Sequence, residues 1–344
     1  MLSIMEQEAL STPEKVQTQL RKNAEKWQAV VDEMKKKPPE FAITIARGSS
    51  DHAATFAKYL FEVHLQLVTS SAAPSIVTIY QQALKMHHAL VVGISQSGQS
   101  PDICKFFEQA NKQGAQTIAL VNRKNSPLAS FAKHVLPVWA DKEVAVAATK
   151  SFIATLSGLV QFVAIYKKDK ALLSALEQLP EYLEKCTQMD WSSALDVFYK
   201  TSNTYITARG YGFPVAQEAA LKLKETSSLH AEAFSSAELL HGPFALVKRH
   251  FPVLVFAQND NSLKGTLEVT KRMTELGAKT LFAMPGKVNN LICSTRLPMP
   301  ESLHPVLDPL LIIQSFYMMA AKLAKARGLN PDSPENLMKV TETH

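Results

Sequence analysis

The sequence contains only three cysteines among its 344 residues, and that scarcity excludes a disulfide-stabilised scaffold. Cys104, Cys186 and Cys293 are odd in number and widely spaced, so they match neither a disulfide framework nor a metal-ligand spacing. Long apolar runs are also missing, since none reaches the length of a membrane span. The opening segment MLSIMEQEALSTPEK carries acidic residues in place of the apolar core of a secretory signal. We therefore expect a cytoplasmic protein with reduced thiols, no membrane attachment and no metal site.

The sequence also lacks a cluster of basic residues. The net charge is +6, but the densest basic run, Lys35 to Lys37, is too short to define a nucleic-acid surface. No zinc-finger spacing or aromatic-basic RNA motif accompanies that run. We expect no nucleic-acid partner and a solvated surface with a mild preference for small anions.

The chain repeats itself at a nearly constant spacing. Ala46-Arg47-Gly48 ends one apolar run, and Ala208-Arg209-Gly210 ends another about 162 residues later. Two further matches follow in the same order, VVGISQ with VLVFAQ and GAQT with GAKT. Three ordered matches indicate a tandem duplication of one domain of about 130 residues.

Short apolar runs alternate with helical patterns in both halves. The first half is predicted to hold strands at 41–46, 90–94, 117–121 and 135–138, with helices at 51–63, 101–113 and 151–166. The second half is predicted to hold strands at 204–208, 251–256 and 280–283, with helices at 213–229 and from 308 to about 328. Apolar strands separated by helices predict an α/β fold, in which each half is a doubly wound, mainly parallel sheet with flanking helices.

The same patterns divide the chain into five segments. Residues 12–36 form a polar helical pattern, and residues 171–200 form another between the two halves. We therefore predict a helical arm at 1–38, a first domain at 39–168, a helical linker at 169–200, a second domain at 201–329 and a tail at 330–344.

Hydroxyl side chains follow two strands of the first half. Ser49 and Ser50 come after the first predicted strand, and the loop SQSGQS at 95–100 follows the next and leads through Pro101 into a helix. Ligands of doubly wound sheets gather at the carboxyl ends of strands, and the N–H groups of a helix N-terminus favour an anion. An N-cap and a polar turn would use the same residue types. The second copy reads AQNDNS here, without the glycine and with an acid, which favours a phosphate site in the first copy alone.

The stretch ALKLKETSSLHAEAFSSAELLHGP carries the titratable groups. Lys222 and Glu225 are three residues apart on a predicted helix and are therefore neighbours on its surface. A solvated salt bridge would explain that spacing as well as a proton-transfer pair does. His241 precedes Gly242-Pro243, which restricts the backbone beside it. A carboxylate for proton abstraction and a histidine for ring opening form an acid–base set suited to a sugar carbonyl.

Several motifs together resemble the sugar isomerase (SIS) domain proteins. GSS, SQSGQS, EVAVAATKSF and LKLKETSSLHAEAFSSAELLHGP are similar to the isomerase half of glucosamine-6-phosphate synthase, from about residue 40 to the tail NLMK. The resemblance implies two tandem SIS domains, with a phosphate site in the first and the catalytic helix in the second. It also implies a tail that closes on the active site, a homodimer whose active site is shared between subunits, and no cofactor or metal.

The resemblance further implies a role for each residue that matches a motif. Glu225 would be the enolisation base, and Lys222 would lie beside it. His241 would assist ring opening from the neighbouring subunit, and Lys339 would contact the open-chain carbonyl. The substrate and its phosphate would be held by Ser49, Ser50, Ser95, Gln96, Ser97, Ser100 and Val146.

Three departures from the synthase favour a related reaction. The chain begins Met1-Leu2-Ser3, without the terminal cysteine of a glutaminase domain, Ala148 stands in place of a serine near the sugar, and Arg47 replaces a small residue. ARGSSDHAA and SQSGQSPD are instead similar to stand-alone SIS-type deaminases of amino-sugar catabolism. We therefore expect a deaminase that converts glucosamine 6-phosphate and water to fructose 6-phosphate and ammonia.

Other activities of the same scaffold stay open. They are a deaminase of another phosphosugar such as galactosamine 6-phosphate, a fructosamine-phosphate deglycase, a plain aldose–ketose isomerase and a synthase subunit supplied with ammonia by a separate glutaminase. A sugar-phosphate sensor without turnover is the alternative from another class of protein. Ammonia release across a panel of phosphosugars would separate the deaminases, the deglycase and the isomerase. Binding without turnover would indicate a sensor, and glucosamine 6-phosphate formation with added partners would indicate a synthase subunit.

Overall fold

The computed structural model describes residues 1–339, and these divide into two compact units. The Glu225 unit comprises Met1–Pro13, Val144–Thr149 and Gln178–Lys339, and the serine-loop unit comprises Glu14–Glu143 and Lys150–Glu177. The predicted arm at 1–38 is shared between them, because helix α1 (Ile4–Leu10) lies in the Glu225 unit and nearly all of α2 (Thr12–Lys36) in the serine-loop unit. Of the predicted tail, residues 330–339 belong to the Glu225 unit and 340–344 lie outside the described residues.

The serine-loop unit is built on five parallel strands in the order β2-β1-β3-β4-β5. Every residue of β3 is buried, so the sheet is covered on both faces, as a continuous apolar strand requires. The strands are β1 (Phe41–Ile45), β2 (Thr69–Ser71), β3 (Ala89–Ser95), β4 (Gln116–Val121) and β5 (His134–Pro137).

The helices of this unit present apolar faces to the sheet. On α5, Ile103, Phe106, Phe107 and Ala110 recur at helical spacing and pack into one cluster with alternate residues of β1 and β3. A single π-helical turn, Phe61–Leu65, extends α3 beyond its α-helical part. The helices that follow α2 in this unit are α3 (Ser49–Leu60), α4 (Ser75–Thr78), α5 (Pro101–Lys112), α6 (Pro127–Phe131) and α7 (Lys150–Lys167).

The Glu225 unit is built on a second parallel sheet, in the order β10-β9-β8-β6-β7. Its strands are β6 (Asn203–Ala208), β7 (His230–Ser235), β8 (Pro252–Phe256), β9 (Lys279–Ala283) and β10 (Thr295–Leu297). The later helices are α8 (Lys170–Thr187), which begins in the serine-loop unit, α9 (Ser192–Phe198), α10 (Phe213–Ser227), α11 (Leu263–Glu275) and α12 (Asp308–Ala326). Helix α12 is buried almost all round, which explains its apolar sequence.

The two sheets have the same topology. Written from the other edge, the second order is β7-β6-β8-β9-β10, and this is the order of the first sheet with each strand replaced by its repeat. All the strand pairs are parallel. The predicted α/β fold of two tandem doubly wound domains is therefore confirmed.

Three edge strands were not predicted from the sequence. β2 and β10 have three residues each, and β7 reads HAEAFS inside the motif that carries Glu225. Each lies at the edge of its sheet, where one side has no neighbouring strand and a continuous apolar run is not needed. Within residues 1–339, no helix combines the length and the apolarity needed to cross a membrane.

Candidate active site

The serine-loop unit places its two serine segments at the point where the strand order reverses. Strands β1 and β3 are neighbours, and their connections leave toward opposite edges of the sheet. Ser49 and Ser50 follow β1 and open α3, whereas residues 95–100 follow β3 and lead into α5. A crevice at such a switch point is where doubly wound sheets bind ligands. The topology thus brings the two predicted phosphate-binding segments together at the carboxyl ends of neighbouring strands.

Within the second serine loop, two serine hydroxyl groups accept hydrogen bonds from backbone N–H groups. The Gly98 N–H donates to Ser95 Oγ at 3.0 Å, and the Gln99 N–H donates to Ser97 Oγ at 3.3 Å. A hydroxyl that accepts an N–H keeps its own O–H as a donor. Ser95 is 9% exposed, whereas Gln96, Ser97 and Ser100 are half-buried. The loop therefore offers neutral donors beside the N-terminus of α5, an arrangement suited to a phosphate.

An ion pair connects the two serine segments. Arg47 donates to the Asp102 carboxylate from Nη2 at 2.8 Å and from Nε at 3.2 Å. The Asp102 side chain is 2% exposed and lies in the first turn of α5, whereas the Arg47 side chain is 51% exposed. Arg47 precedes Ser49 by two residues, so these two hydrogen bonds to one carboxylate oxygen fix the end of β1 relative to the start of α5.

Replacement of Gly98 by alanine should disrupt phosphate binding. Gly98 has φ +64°, and a Cβ built there would lie 2.2 Å from Ser126 Oγ and 2.5 Å from Ser126 Cβ. Gly114 has φ +75° but nothing within 4 Å of the corresponding Cβ. Backbone strain should lower the free energy of unfolding of both alanine variants by about 1–2 kcal/mol. We expect Gly98→Ala alone to weaken the binding of inorganic phosphate, by at least about tenfold in a calorimetric titration. Equal affinity in the two variants would contradict this role of the loop.

The corresponding loop of the Glu225 unit is closed by its own carboxylate. Asp260 Oδ1 accepts from the Ser262 N–H at 2.8 Å and from Ser262 Oγ at 2.5 Å, and Asp260 Oδ2 accepts from Gln258 Nε2 at 3.1 Å. Nearby, burial raises the pKa of Asp308 to about 7, against hydrogen bonds from Ser302 and Asn259, and Asp260 adds to the rise. Three donors of this loop, Gln258 Nε2, the Ser262 N–H and Ser262 Oγ, are thus bound by Asp260, and the Asn259 N–H is bound by Asp308.

Helix α10 carries a buried row of charges. Lys222 Nζ lies 3.3 Å from Glu218 Oε1 and 2.5 Å from Glu225 Oε2. The side chains of Lys222 and Glu218 are 1% and 0% exposed, and that of Glu225 is 18% exposed. The Lys222–Glu225 pair is therefore not a solvated surface bridge. Burial opposes the charge of Lys222, but the carboxylates of Glu218 and Glu225 outweigh it and hold the pKa of this lysine above its usual value.

Glu218 was missed by the sequence reasoning. It lies four residues before Lys222 on the same helix face, so the i, i+4 spacing was a signal that could have found it. Tyr317 of α12 also donates its hydroxyl to Glu218 Oε1 at 3.2 Å, and no local pattern marks that contact. The two partners keep Glu218 hydrogen-bonded in the interior.

Glu225 lies on the wall of a cavity of about 670 Å³. That volume falls within the range of small-molecule sites. The cavity lies between α10 and the segment that follows α12, so the tail residues up to 337 form one wall of it. Its lining residues are Leu221, Lys224, Glu225, Thr226, Ser228, Gly328, Leu329, Asn330, Ser333, Pro334, Glu335, Asn336 and Leu337.

Lys339 and Val146 are brought together in the same unit. Lys339 Nζ donates to the Ala145 carbonyl at 2.7 Å, one residue before Val146. The Val146 N–H donates to the Asp332 carbonyl at 3.0 Å. The tail therefore lies against the segment EVAVAATKSF that the sequence analysis associated with the substrate.

His241 is placed differently from the other titratable residues. It is exposed, its N–H donates to the Glu238 carbonyl at 2.9 Å, and it precedes Gly242, which has φ +135°. His241 is not among the residues that line the Glu225 cavity. In residues 1–339, no group of three or more His, Cys, Asp and Glu side chains has the arrangement of a metal site.

Residues 40–165 and 197–306 match the SIS domain. The chain belongs to the SIS domain family. The two matched ranges contain the two five-stranded sheets, so each repeat is one SIS domain. The resemblance drawn from the serine loop and the α10 motif is thereby confirmed at the level of the family.

Individual SIS relatives extend this comparison. A glutamine–fructose-6-phosphate aminotransferase (isomerizing) of Methanothermobacter thermautotrophicus is 30% identical over 305 residues, which cover 86% of this chain and 50% of that protein. The chain thus spans about half the length of such aminotransferases. The crystal structure of a Silicibacter pomeroyi protein assigned as a phosphosugar isomerase superposes with TM-score 0.91 at 36% identity, over 96% of this chain and 100% of that one. The C-terminal domain of the Francisella tularensis glucosamine-fructose-6-phosphate aminotransferase gives 0.86 at 25% identity, over 97% and 99%.

Proposed function

We propose that this SIS protein is an amino-sugar phosphate deaminase, which converts glucosamine 6-phosphate and water to fructose 6-phosphate and ammonia. The observation that carries the proposal is the Lys222–Glu225 pair. It sets a carboxylate, held 2.5 Å from a buried ammonium group, on the wall of a cavity. A carboxylate placed in this way is suited to move a proton between adjacent carbons of an open-chain sugar. The aminotransferase and phosphosugar isomerase relatives support the choice of substrate class.

The roles follow from the two sets of residues. Ser49, Ser50 and the loop at 95–100 would bind the phosphate. Glu225 would remove the C2 proton of the open-chain aldehyde and return it to C1, which leaves a C1 alcohol and a C2 imine. Water would then add to C2, ammonia would leave, and fructose 6-phosphate would remain. Lys222 would hold the Glu225 carboxylate in position, because its ammonium group lies 2.5 Å from Glu225 Oε2.

Lys339 and His241 would act at either end of this sequence. Lys339 is proposed to contact the open-chain carbonyl, and its contact with Ala145 keeps it in the unit that carries Glu225. His241 is proposed to assist ring opening in a second copy of the chain, within a homodimer that shares its active sites. The exposure of His241 and its place outside the Glu225 cavity support that arrangement.

Deamination is preferred to the other activities of this scaffold because of the segments around the serines. ARGSSDHAA and SQSGQSPD resemble the stand-alone deaminases, and Arg47 of the first segment forms an ion pair with Asp102 of the second. This ion pair holds the two serine segments relative to each other, which supports a role for both segments in binding the substrate.

A screen of ammonia release tests the proposal. We expect the chain to release ammonia from glucosamine 6-phosphate and to form an equal amount of fructose 6-phosphate. Galactosamine 6-phosphate and phosphorylated fructosamines serve as competing substrates, and unphosphorylated glucosamine is the control for the phosphate site. Ketose formation without ammonia would favour an aldose–ketose isomerase. Tight phosphosugar binding without turnover would favour a sensor, and either result would overturn the proposal.

A further inference from the structure

Three successive backbone N–H groups beside the proposed site are bound by residues that are distant in sequence. The Glu8 carboxylate accepts from the Val144 N–H at 2.5 Å and from the Ala145 N–H at 3.2 Å. The Val146 N–H donates to the carbonyl of Asp332. Hydrogen bonds to helix α1 and to the tail therefore hold the segment from Val144 to Val146 in place.

Helix α1 and the tail are also joined to each other. The Asp332 carboxylate accepts from the N–H groups of Ile4 and Met5, at 2.9 and 2.8 Å, which are the first donors of α1. A helix N-terminus favours such an anion, because its first N–H groups have no partner within the helix. Asp332 thus contacts α1 through its side chain and Val146 through its backbone.

The buried carboxylate of Glu8 is matched by two hydrogen-bond donors. Glu8 is 6% exposed, so its carboxylate would be costly to bury without donors, and two backbone N–H groups supply them. Hydrogen bonds to an ionised acceptor are roughly twice as strong as neutral ones. The same segment presents the Ala145 carbonyl to Lys339, at 2.7 Å. Displacement of Val144 and Ala145 would therefore move the acceptor that holds this lysine.

We propose that Glu8 and Asp332 are positioning residues for the substrate site. We call the two residues, with the backbone groups that they bind, the α1–tail latch. The latch sets the position of Val146 and, through the Ala145 carbonyl, that of Lys339. Its consequence for catalysis rests on the proposed function, in which both of these residues meet the sugar.

A matched pair of variants on one helix tests the latch. Glu8→Gln keeps one acceptor oxygen and puts an amide NH₂ group against the other N–H group, that of Val144 or that of Ala145. Glu6→Gln is the control, because Glu6 is also buried and lies on the same helix. Its carboxylate accepts from Lys325 at 2.6 Å and from the Ser3 N–H at 2.8 Å without touching the segment at 144–146. In hydrogen-exchange mass spectrometry of the full chain, we expect Glu8→Gln to speed exchange at 144–146 and 330–339 by about tenfold. Glu6→Gln should leave exchange of the 144–146 segment unchanged.

Kinetics provide the second readout. We expect Glu8→Gln, and separately Asp332→Asn, to raise KM for the phosphosugar by about tenfold while kcat falls less, since these residues position substrate contacts rather than transfer protons. Glu6→Gln should lower stability without changing KM. A merely structural role would give the same KM in all three variants, and that result would overturn the proposal.

The two proposals fail in different ways. If the unaltered chain neither binds nor turns over any phosphosugar, the proposed function is wrong, while the exchange comparison still decides whether Glu8 positions the segment. Unchanged exchange at 144–146 in Glu8→Gln would sink the latch even in an active deaminase.

Discussion

Glu225→Gln should reduce kcat for deamination by about 10²- to 10⁴-fold, the range that a positioned acid–base group contributes. The amide has the shape of the carboxylate and can still accept from Lys222, but it is too weak a base to take the C2 proton. Binding of fructose 6-phosphate should stay within about threefold of that of the unaltered chain, because the proposed phosphate donors lie elsewhere. Calorimetry and single-turnover kinetics would measure the two quantities.

The proton transfer itself can be followed without ammonia release. In D₂O, the unaltered chain should exchange a C1 hydrogen of bound fructose 6-phosphate, whereas Glu225→Gln should not. Glu268→Gln, at an exposed position on α11 of the same unit, is the control and should retain both exchange and turnover. If Glu225→Gln still exchanges the hydrogen at the normal rate, the base has been wrongly assigned.

Lys222→Met should be the most destabilising substitution on α10. Methionine fills a similar volume, but it leaves Glu218, at 0% exposure, without its cation. Removing one partner of a buried pair costs about 3–5 kcal/mol of unfolding free energy. The double variant Lys222→Met/Glu218→Gln should recover part of that loss, because the uncompensated charge is gone. Urea denaturation of the three proteins would measure the effect.

The exposed pair Lys271–Glu275 provides the control on α11. It has the same i, i+4 spacing with an N–O distance of 3.7 Å, and its side chains are 53% and 57% exposed. Lys271→Met should therefore cost less than about 1 kcal/mol. A loss as large as that of Lys222→Met would show that burial is not the reason for the difference.

The pH dependence of stability gives a further check on Lys222. Its pKa is raised in the folded protein, because the two carboxylates outweigh the opposing effect of burial. The folded state therefore binds this proton more tightly than the unfolded state does. The stabilisation is fully present below the unfolded pKa of about 10.4 and is lost as the pH rises through the folded pKa. The difference in unfolding free energy between the unaltered chain and Lys222→Met should thus be constant near neutrality and shrink in strong alkali.

The elements that the sequence predicts well are those whose signal is local. β3 is buried throughout and α12 is buried almost all round, so their apolar runs are long and unambiguous. The serine loops could be placed at one edge of a sheet because the carboxyl ends of parallel strands meet there. The spacing alone predicts that Lys222 and Glu225 are neighbours on α10. Whether the pair is buried or solvated could be seen only in the structure.

The missed features depend on contacts between distant parts of the chain. Glu8 binds a backbone group 136 residues away, and Ile4 binds Asp332 across 328 residues. Neither contact leaves a periodic or spaced pattern in the sequence. The edge strand β7 was missed for a related reason, since HAEAFS gains its strand character from pairing with β6 rather than from its own apolar residues.

The carboxylate that closes the AQNDNS loop has a consequence for the evolution of the duplicated chain. Asp260 gives this copy a permanent, covalently attached anion in the place where its twin would accept a dissociable one. The two copies can therefore share a fold while competing for no ligand, and one chain should take up a single phosphosugar rather than two. In this arrangement the second copy keeps the shared sheet topology, while its helix α10 carries the buried Lys222–Glu225 pair.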